Sequence, residues 1–184
     1  MATFQDRVIG AIKAQPSTFA EVEQDPSAIT QAALIVVLVG VARAIASLKY
    51  GFIVSGFSLM MMPILGLIGW VIGSAVLMVI GTKAITGTKV NVDLQRVMRT
   101  IGFGEAVLLL SFIGIIPFLG ALINLILALW ALYAILVATQ QLFGYSDFIK
   151  PFLALLLTAV VIAVVFSVLA AFGLAGLIGT RMMY

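Results

Sequence analysis

Along most of the chain the regular exchange of apolar and polar positions that marks a water-facing element is missing. From about Ser27 onward apolar residues run in long blocks separated by short polar, glycine or proline interruptions, whereas Met1 to Gln24 keep a one-sided pattern. There Phe4, Val8, Ala11 and Ile12 recur at helical spacing, with Asp6, Arg7 and Lys13 mostly on other sides. This predicts a short amphipathic helix in the membrane interface. Pro16 ends it, and Thr18 with Glu21 has the spacing of a capping box for a further turn or two through Phe19 and Val22. Asp25 before Pro26 is an N-cap and first-turn pair that starts the first long apolar block. A secretory signal is not expected, because acidic residues and two prolines occupy the place of its basic start and apolar core.

A bilayer's hydrocarbon layer is about 30 Å thick and takes roughly 20 helical residues per crossing. That ruler divides the chain into an interfacial segment over 1–26 and a membrane domain over 27–184, with crossings at about 27–47, 63–82, 100–116, 118–143 and 151–179. The block from Gly51 to Ile80 exceeds one crossing and contains Pro63. Two readings stay open for it: a re-entrant or interfacial lead-in over Gly51 to Met62 before a crossing that starts at Pro63, or one kinked, tilted helix. The polar stretch from Lys83 to Arg99 has Gly81, Gly87 and Asn91 as breakers, after which Leu94, Val97, Met98 and Ile101 return to helical spacing. It reads as a surface helix leading into the third crossing. Pro117 leaves almost no loop before the fourth. The expected fold class is an all-α integral membrane protein, a bundle of five transmembrane helices with a short amphipathic amino-terminal segment.

Composition agrees. Of 184 residues 64% are hydrophobic and 9% charged, with a mean hydropathy of +1.28, against about 25% charged in soluble domains. The absence of histidine and cysteine removes thiolate zinc sites, cysteine nucleophiles and histidine bases, so no cofactor, no metal and no enzymatic activity are expected. The net charge of +3 is scattered along membrane borders rather than gathered in a patch, which argues against nucleic acid. Arg7, Lys13, Lys83, Lys89, Arg96, Arg99 and Lys150 fall on one side of the partition, and Lys49, Arg181 and an outward-reaching Arg43 on the other. Basic residues are retained on the cytoplasmic side. The amino terminus is therefore expected in the cytoplasm and the carboxy terminus outside.

Few residues are left to carry chemistry. Glu105 is the one carboxylate inside a crossing, and intramembrane ionisable groups suggest function by default. Arg43 is its natural partner; the plainer reading sends Glu105 to Arg99, Lys83 or headgroup water and Arg43 to the opposite border. Asn124 is expected to bond a neighbouring helix rather than a substrate. Lys83, Lys89, Arg96 and Arg99 form a cytosolic, lipid-facing basic set that would attract anionic headgroups. Gly69 and Gly73, and in the last crossing Ala163, Ser167, Ala171 and Ala175, place small residues at helical spacing. Such positions let helices approach closely, and packing within the monomer is favoured over a dimer seam. Trp130 and Tyr133 fall near mid-segment, where helix packing is expected of them.

The order of features is also familiar. Pro16, Phe19 and Asp25-Pro26, then Gly87-Thr88-Lys89, Gly102-Phe103-Gly104, the Trp130 helix, and Phe143-Gly144-Tyr145-Ser146 followed by Lys150-Pro151 resemble the Yip-domain family of five-helix membrane proteins. Gly144, Tyr145 and Pro151 match that family's motif most clearly. The resemblance implies five crossings with a cytosolic amino terminus, and the short arm, lacking the acidic motif of eukaryotic members, points to a prokaryotic one in the bacterial inner membrane. The function expected is a non-enzymatic membrane scaffold that organises the bilayer or recruits partners. Anionic lipid, a membrane-protein partner and a second copy of the chain are its candidate contacts. The alternative is a small transporter or channel using Glu105. A lipid-acting enzyme would have only Glu105 with Asp93 or Asp147 to work with.

Overall fold

The structure is a computed structural model that describes residues 2–85, 92–116 and 118–181. Among them every regular element is helical: α1 (Phe4–Ile12), α2 (Pro16–Gln24), α3 (Ala28–Ala46), α4 (Phe52–Val79), α5 (Leu94–Gly104), α6 (Leu119–Phe143) and α7 (Ile149–Arg181). Two 3-10 segments, Ser47–Tyr50 and Ala106–Ile115, follow α3 and α5, and a π turn, Ile80–Ala84, finishes α4. Among the described residues five stretches are long and apolar enough to cross a membrane: Ala28–Tyr50, Ile53–Ala84, Leu94–Ile115, Leu119–Phe143 and Ile149–Val168. The protein is an all-α membrane bundle. α1 and α2 pack at one end of it, the cap end; the Ser47–Tyr50 turn and the start of α6 mark the opposite, far end.

Three local readings change. The capping box lies at the very start, where Thr3 Oγ1 accepts from the Asp6 amide and the Asp6 carboxylate accepts from Thr3 N. Thr18 and Glu21 cap nothing, because Pro16 does not merely stop α1 but opens α2 at its first position, where its missing N–H costs no hydrogen bond. Thr18 then lies buried against Gly10, and Glu21 turns to Arg7. The block from Gly51 is one helix: α4 runs unbroken from Phe52 through Pro63 to Val79, which favours the single-helix reading over a separate lead-in that stops at Pro63. Ile53–Ala84 has 32 residues, about 48 Å at 1.5 Å per residue, well beyond one hydrocarbon layer, so it must tilt or overhang.

α3 is the central element. Ala28, Ala32, Ile35, Val36 and Val39 form its buried stripe and share a core with Phe19 and Val22 of α2, Trp70 of α4, Phe103, Ala106, and Ala134, Val137 and Ala138 of α6. The small side chains let backbones approach, which is what favours helix association in lipid. α7 is peripheral. Pro151, Ala154 and Thr158 near its start are buried, whereas Ala163, Ser167 and Ala171 are exposed, so these three do not pack within the monomer as expected; the side chain of Ala175 lies outside the described residues. Among the described residues the buried side chains of α7 lie near its start, which is why the stripe failed as a packing signal.

Candidate functional site

Glu105 closes α5, and beyond it the backbone tightens into a ten-residue 3-10 helix, Ala106–Ile115. Such runs seldom exceed three or four residues. With about three residues per turn, positions three apart fall in line, and Glu105, Leu108, Ser111 and Gly114 become one face. In an α-helix each step of three would rotate by about −60° and spread the four around the cylinder. At about 2.0 Å per residue the segment also reaches roughly 5 Å further than ten α-helical residues would.

That face borders two adjoining cavities. The inner, about 410 Å³, is lined by Glu105 and Leu108, by Val36, Val39, Gly40 and Arg43 of α3, by Met62, Leu65, Gly66, Gly69 and Trp70 of α4, and by Ile135 of α6. The outer, about 350 Å³, shares Arg43, Met62 and Leu108 with it and adds Ala46, Ser47, Lys49, Tyr50, Ser111, Asn124 and Ala128. Together they form a mainly apolar recess, with a few charged and polar groups along it, from the far end to Glu105.

The charges in it are ordered. Lys49 is fixed at the outer end, its Nζ donating to Gly114 O at 2.9 Å and lying 5.1 Å from the centre of the Tyr50 ring. Arg43 is exposed between the cavities, and Glu105 is half-buried at the inner end. Arg43 and Glu105 line the same inner cavity, yet among the described residues the two form no ion pair within 4.0 Å. Ser111 Oγ is buried with no hydrogen-bond partner, whereas Thr100, Thr139 and Thr158 each donate to the carbonyl four residues back. Toward the cap end the recess is closed. Trp70 Nε1 donates to Met98 O at 2.9 Å, and a Cβ on Gly102 would lie 2.8 Å from Ala32 Cβ and 3.1 Å from that indole nitrogen.

A second polar assembly joins α1 and α2 to the bundle. Arg7, only 3% exposed, donates from Nε and Nη2 to Glu21 Oε1 at 3.3 and 2.9 Å, from Nη2 to Asp25 Oδ2 at 2.6 Å, and from Nη1 to Gln31 Oε1 at 3.1 Å. Hydrogen bonds from Ser27, and then from Arg7, hold the Asp25 carboxyl down at about 2, and the Arg7 hydrogen bond likewise lowers Glu21. Arg99 Nη2 donates to Glu23 O at 2.7 Å. Phe4 meets Phe103 edge to face with centroids 6.5 Å apart, and Trp130 Nε1 donates to Ile12 O at 2.6 Å. Gln5, Asp6, Ile9, Lys13, Gln15 and Gln24 remain exposed on the outer side of this platform.

The structure thus brings Arg43, Glu105 and Asn124 to one recess; Asn124 packs on Gly114 at its outer end. It divides the basic set instead of gathering it. Lys83 is exposed, and Arg96 lies beside Asp93 at 3.5 Å and Glu23 at 3.9 Å. Arg99, 4% exposed, points inward and is not lipid-facing, because its helix face is covered by α2. Lys89 lies outside the described residues. A Cβ on Gly73 would lie 4.0 Å from Ile162 Cδ1, but one on Gly69 would meet nothing within 4 Å, so Gly69 lines the recess rather than a helix contact. The close approach that sequence reading missed is Gly40 on Pro63; one glycine in an apolar run gives little signal for it.

The motif residues form a joint at the turn from α6 to α7. Gly144 adopts φ +68° as the left-handed C-cap of α6, where other residues are strained. Tyr145 is buried, stacks on Phe143 at 5.6 Å and donates from its hydroxyl to Gly81 O at 3.1 Å. Burial pushes its phenol up to about 12. Asp147 Oδ1 accepts from the amides of Ile149 and Lys150, and Pro151 is buried in the first turn of α7.

No curated protein and no solved structure matches the chain. The model of the Yip1 domain family matches residues 9–171, a stretch that takes in the α2 platform, both charged ends of the recess and the Gly144-Tyr145 joint, and on that match the chain belongs to the Yip1 domain family.

Proposed function

We propose that this protein is a non-enzymatic membrane scaffold that recruits a partner through the cap formed by α1, α2 and the start of α5. The observation that carries this reading is the way the cap is held. Arg7 ties three elements together with four hydrogen bonds, leaving an ordered polar surface whose exposed side chains satisfy nothing inside the bundle. Such a surface costs little ordering entropy when a partner docks. In this reading the cap is cytosolic, as the count of basic residues favours, with the carboxy terminus outside and the bacterial inner membrane as the site of action. Exposed Lys13 and Lys83 make an anionic-lipid surface a secondary contact, and the exposed start of the α7 stripe leaves room for a second copy of the chain. The test is a photo-crosslinking residue at Gln5, compared with one at Phe166 on α7, in membranes of the native host. A discrete protein adduct from Gln5 that is lost on Arg7→Ala is expected; no adduct from the cap positions would overturn the proposal.

A second reading, conduction through Glu105, is favoured by the recess that reaches this carboxylate. Against it stands the apolar packing of Trp70, Gly102 and Ala32 on the cap side. Equal proteoliposome flux for the parent and Glu105→Gln would remove it.

A further inference from the structure

The recess has an electrostatic order that neither scaffolding nor conduction requires. Two cations, Lys49 and Arg43, occupy its outer and middle parts, and one anion, Glu105, its inner end. Arg43 and Glu105 border one 410 Å³ cavity without meeting in an ion pair. That volume falls in the range of small-ligand sites, about 300–1,000 Å³. Ser111 adds a buried hydroxyl without a partner on the outer cavity. A group that satisfied all of these would carry negative charge at one end and a hydrogen-bonding cation at the other.

Its surroundings say where such a group would come from. The recess lies between α4 and α6, floored by α3 and the 3-10 segment. α7 bridges α4 and α6 near the cap end, where Leu77, Leu142 and Ala154 share an apolar cluster, but from Ala163 to Val168 its side chains are exposed and cover nothing. The α4 and α6 faces flanking the recess present Leu65, Ile68, Leu125 and Leu132 outward, a surface suited to acyl chains.

We propose that this recess binds the phosphoethanolamine headgroup of a membrane phospholipid, with the phosphate on Arg43 and Lys49, the ammonium on Glu105 and the acyl chains along α4 and α6. Arginine suits phosphate because its planar fork donates two parallel hydrogen bonds. A primary ammonium donates to the carboxylate, whereas a quaternary choline nitrogen has no proton to donate. Binding needs no passage across the bundle and stands apart from the conduction reading.

The experiment is native mass spectrometry of the full chain, released from detergent after incubation with phosphatidylethanolamine, phosphatidylcholine or phosphatidylglycerol of identical acyl chains. Phosphatidylethanolamine should be retained about tenfold more than either competitor, and Arg43→Gln and Glu105→Gln should each lower its retention about tenfold, the factor expected from one charge-assisted hydrogen bond. Gly69→Leu keeps both charges but fills the inner cavity at a helical position where a Cβ meets nothing. It should abolish the preference with an unchanged melting temperature or a higher one, which keeps the test decisive should a charge variant fail to fold. Equal retention of the three lipids, or a preference untouched by Gly69→Leu, would overturn the proposal. So would displacement by free O-phosphoethanolamine as effective as by the lipid, which would reassign the recess to a soluble zwitterion.

Discussion

Gly40 of α3 and Pro63 of α4 meet backbone to backbone: a Cβ on Gly40 would lie 2.6 Å from both Cα and N of Pro63. Nothing there is the end of a flexible side chain, so the helices themselves would have to separate. Gly40→Ala should lower stability by about 1–3 kcal/mol, the range for overpacking a close-packed contact. Gly69→Ala, seven residues beyond Met62 on the same helix as Pro63, should raise it by about 0.5–1 kcal/mol by stiffening the unfolded chain. Thermal unfolding of both variants in one detergent checks the opposite signs; two shifts in the same direction would contradict the packing described.

The Arg7 network predicts a cap that loosens in acid. The Asp25 and Glu21 carboxyls are held below their ordinary values in the folded protein, so their contribution is complete above the unfolded values near 4. It is lost as pH falls through the folded values, toward about 2 for Asp25. Hydrogen-exchange protection factors over residues 4–24 should therefore fall between about pH 4 and 2 while those of α3 hold. In Arg7→Ala that loss of protection should already be present at pH 7.

Arg99 separates a structural role from a headgroup role. Its guanidinium is buried and donates to the Glu23 carbonyl, so Arg99→Ala leaves that carbonyl and a cavity behind and should cost about 1–3 kcal/mol. It should leave the salt dependence of binding to anionic liposomes unchanged. Lys83→Ala, at an exposed site, should do the reverse. Liposome flotation at two ionic strengths together with melting temperatures distinguishes them.

Tyr145 joins the end of α6 to the π turn after α4. Tyr145→Phe removes the bond to Gly81 O and should cost about 1 kcal/mol. Burial raises the folded phenol to about 12, above the unfolded value of about 10. The neutral form thus stabilises the fold fully below pH 10, and that contribution disappears as pH rises toward 12. Parent protein should lose stability over this window more steeply than Tyr145→Phe, as denaturation at fixed detergent would record. Gly144→Ala should cost about 1–2 kcal/mol because its φ of +68° is left-handed.

Much of the candidate site was legible as residues and little of it as geometry. Glu105 and Arg43 stand out because a charge in an apolar block is costly, and that cost is readable without coordinates. Their shared recess is not, since a helical partition places Glu105 near one border and Arg43 near the other. The packing of α3 against α5 and the 3-10 segment puts both on one cavity, and the 3-10 pitch aligns Glu105 with Ser111 and Gly114. Arg99 misled for the converse reason. A basic residue on a polar stretch reads as solvated, and only the docking of α2 turns it inward.

By itself the sequence determined the class, the number of apolar crossings, the amphipathic start and the Gly144-Tyr145 joint. These depend on transfer free energy and on local backbone preference, which each residue carries with it. The tertiary structure alone decided that α4 runs unbroken past Pro63, that Gly40 rather than Gly69 is the point of close approach, that the α7 stripe stays uncovered, and that Glu105 and Arg43 line one recess. Those outcomes depend on which helix faces meet. In a chain this uniformly apolar, hydrophobicity favours no face over another, so small residues, buried hydrogen bonds and backbone pitch make the choice.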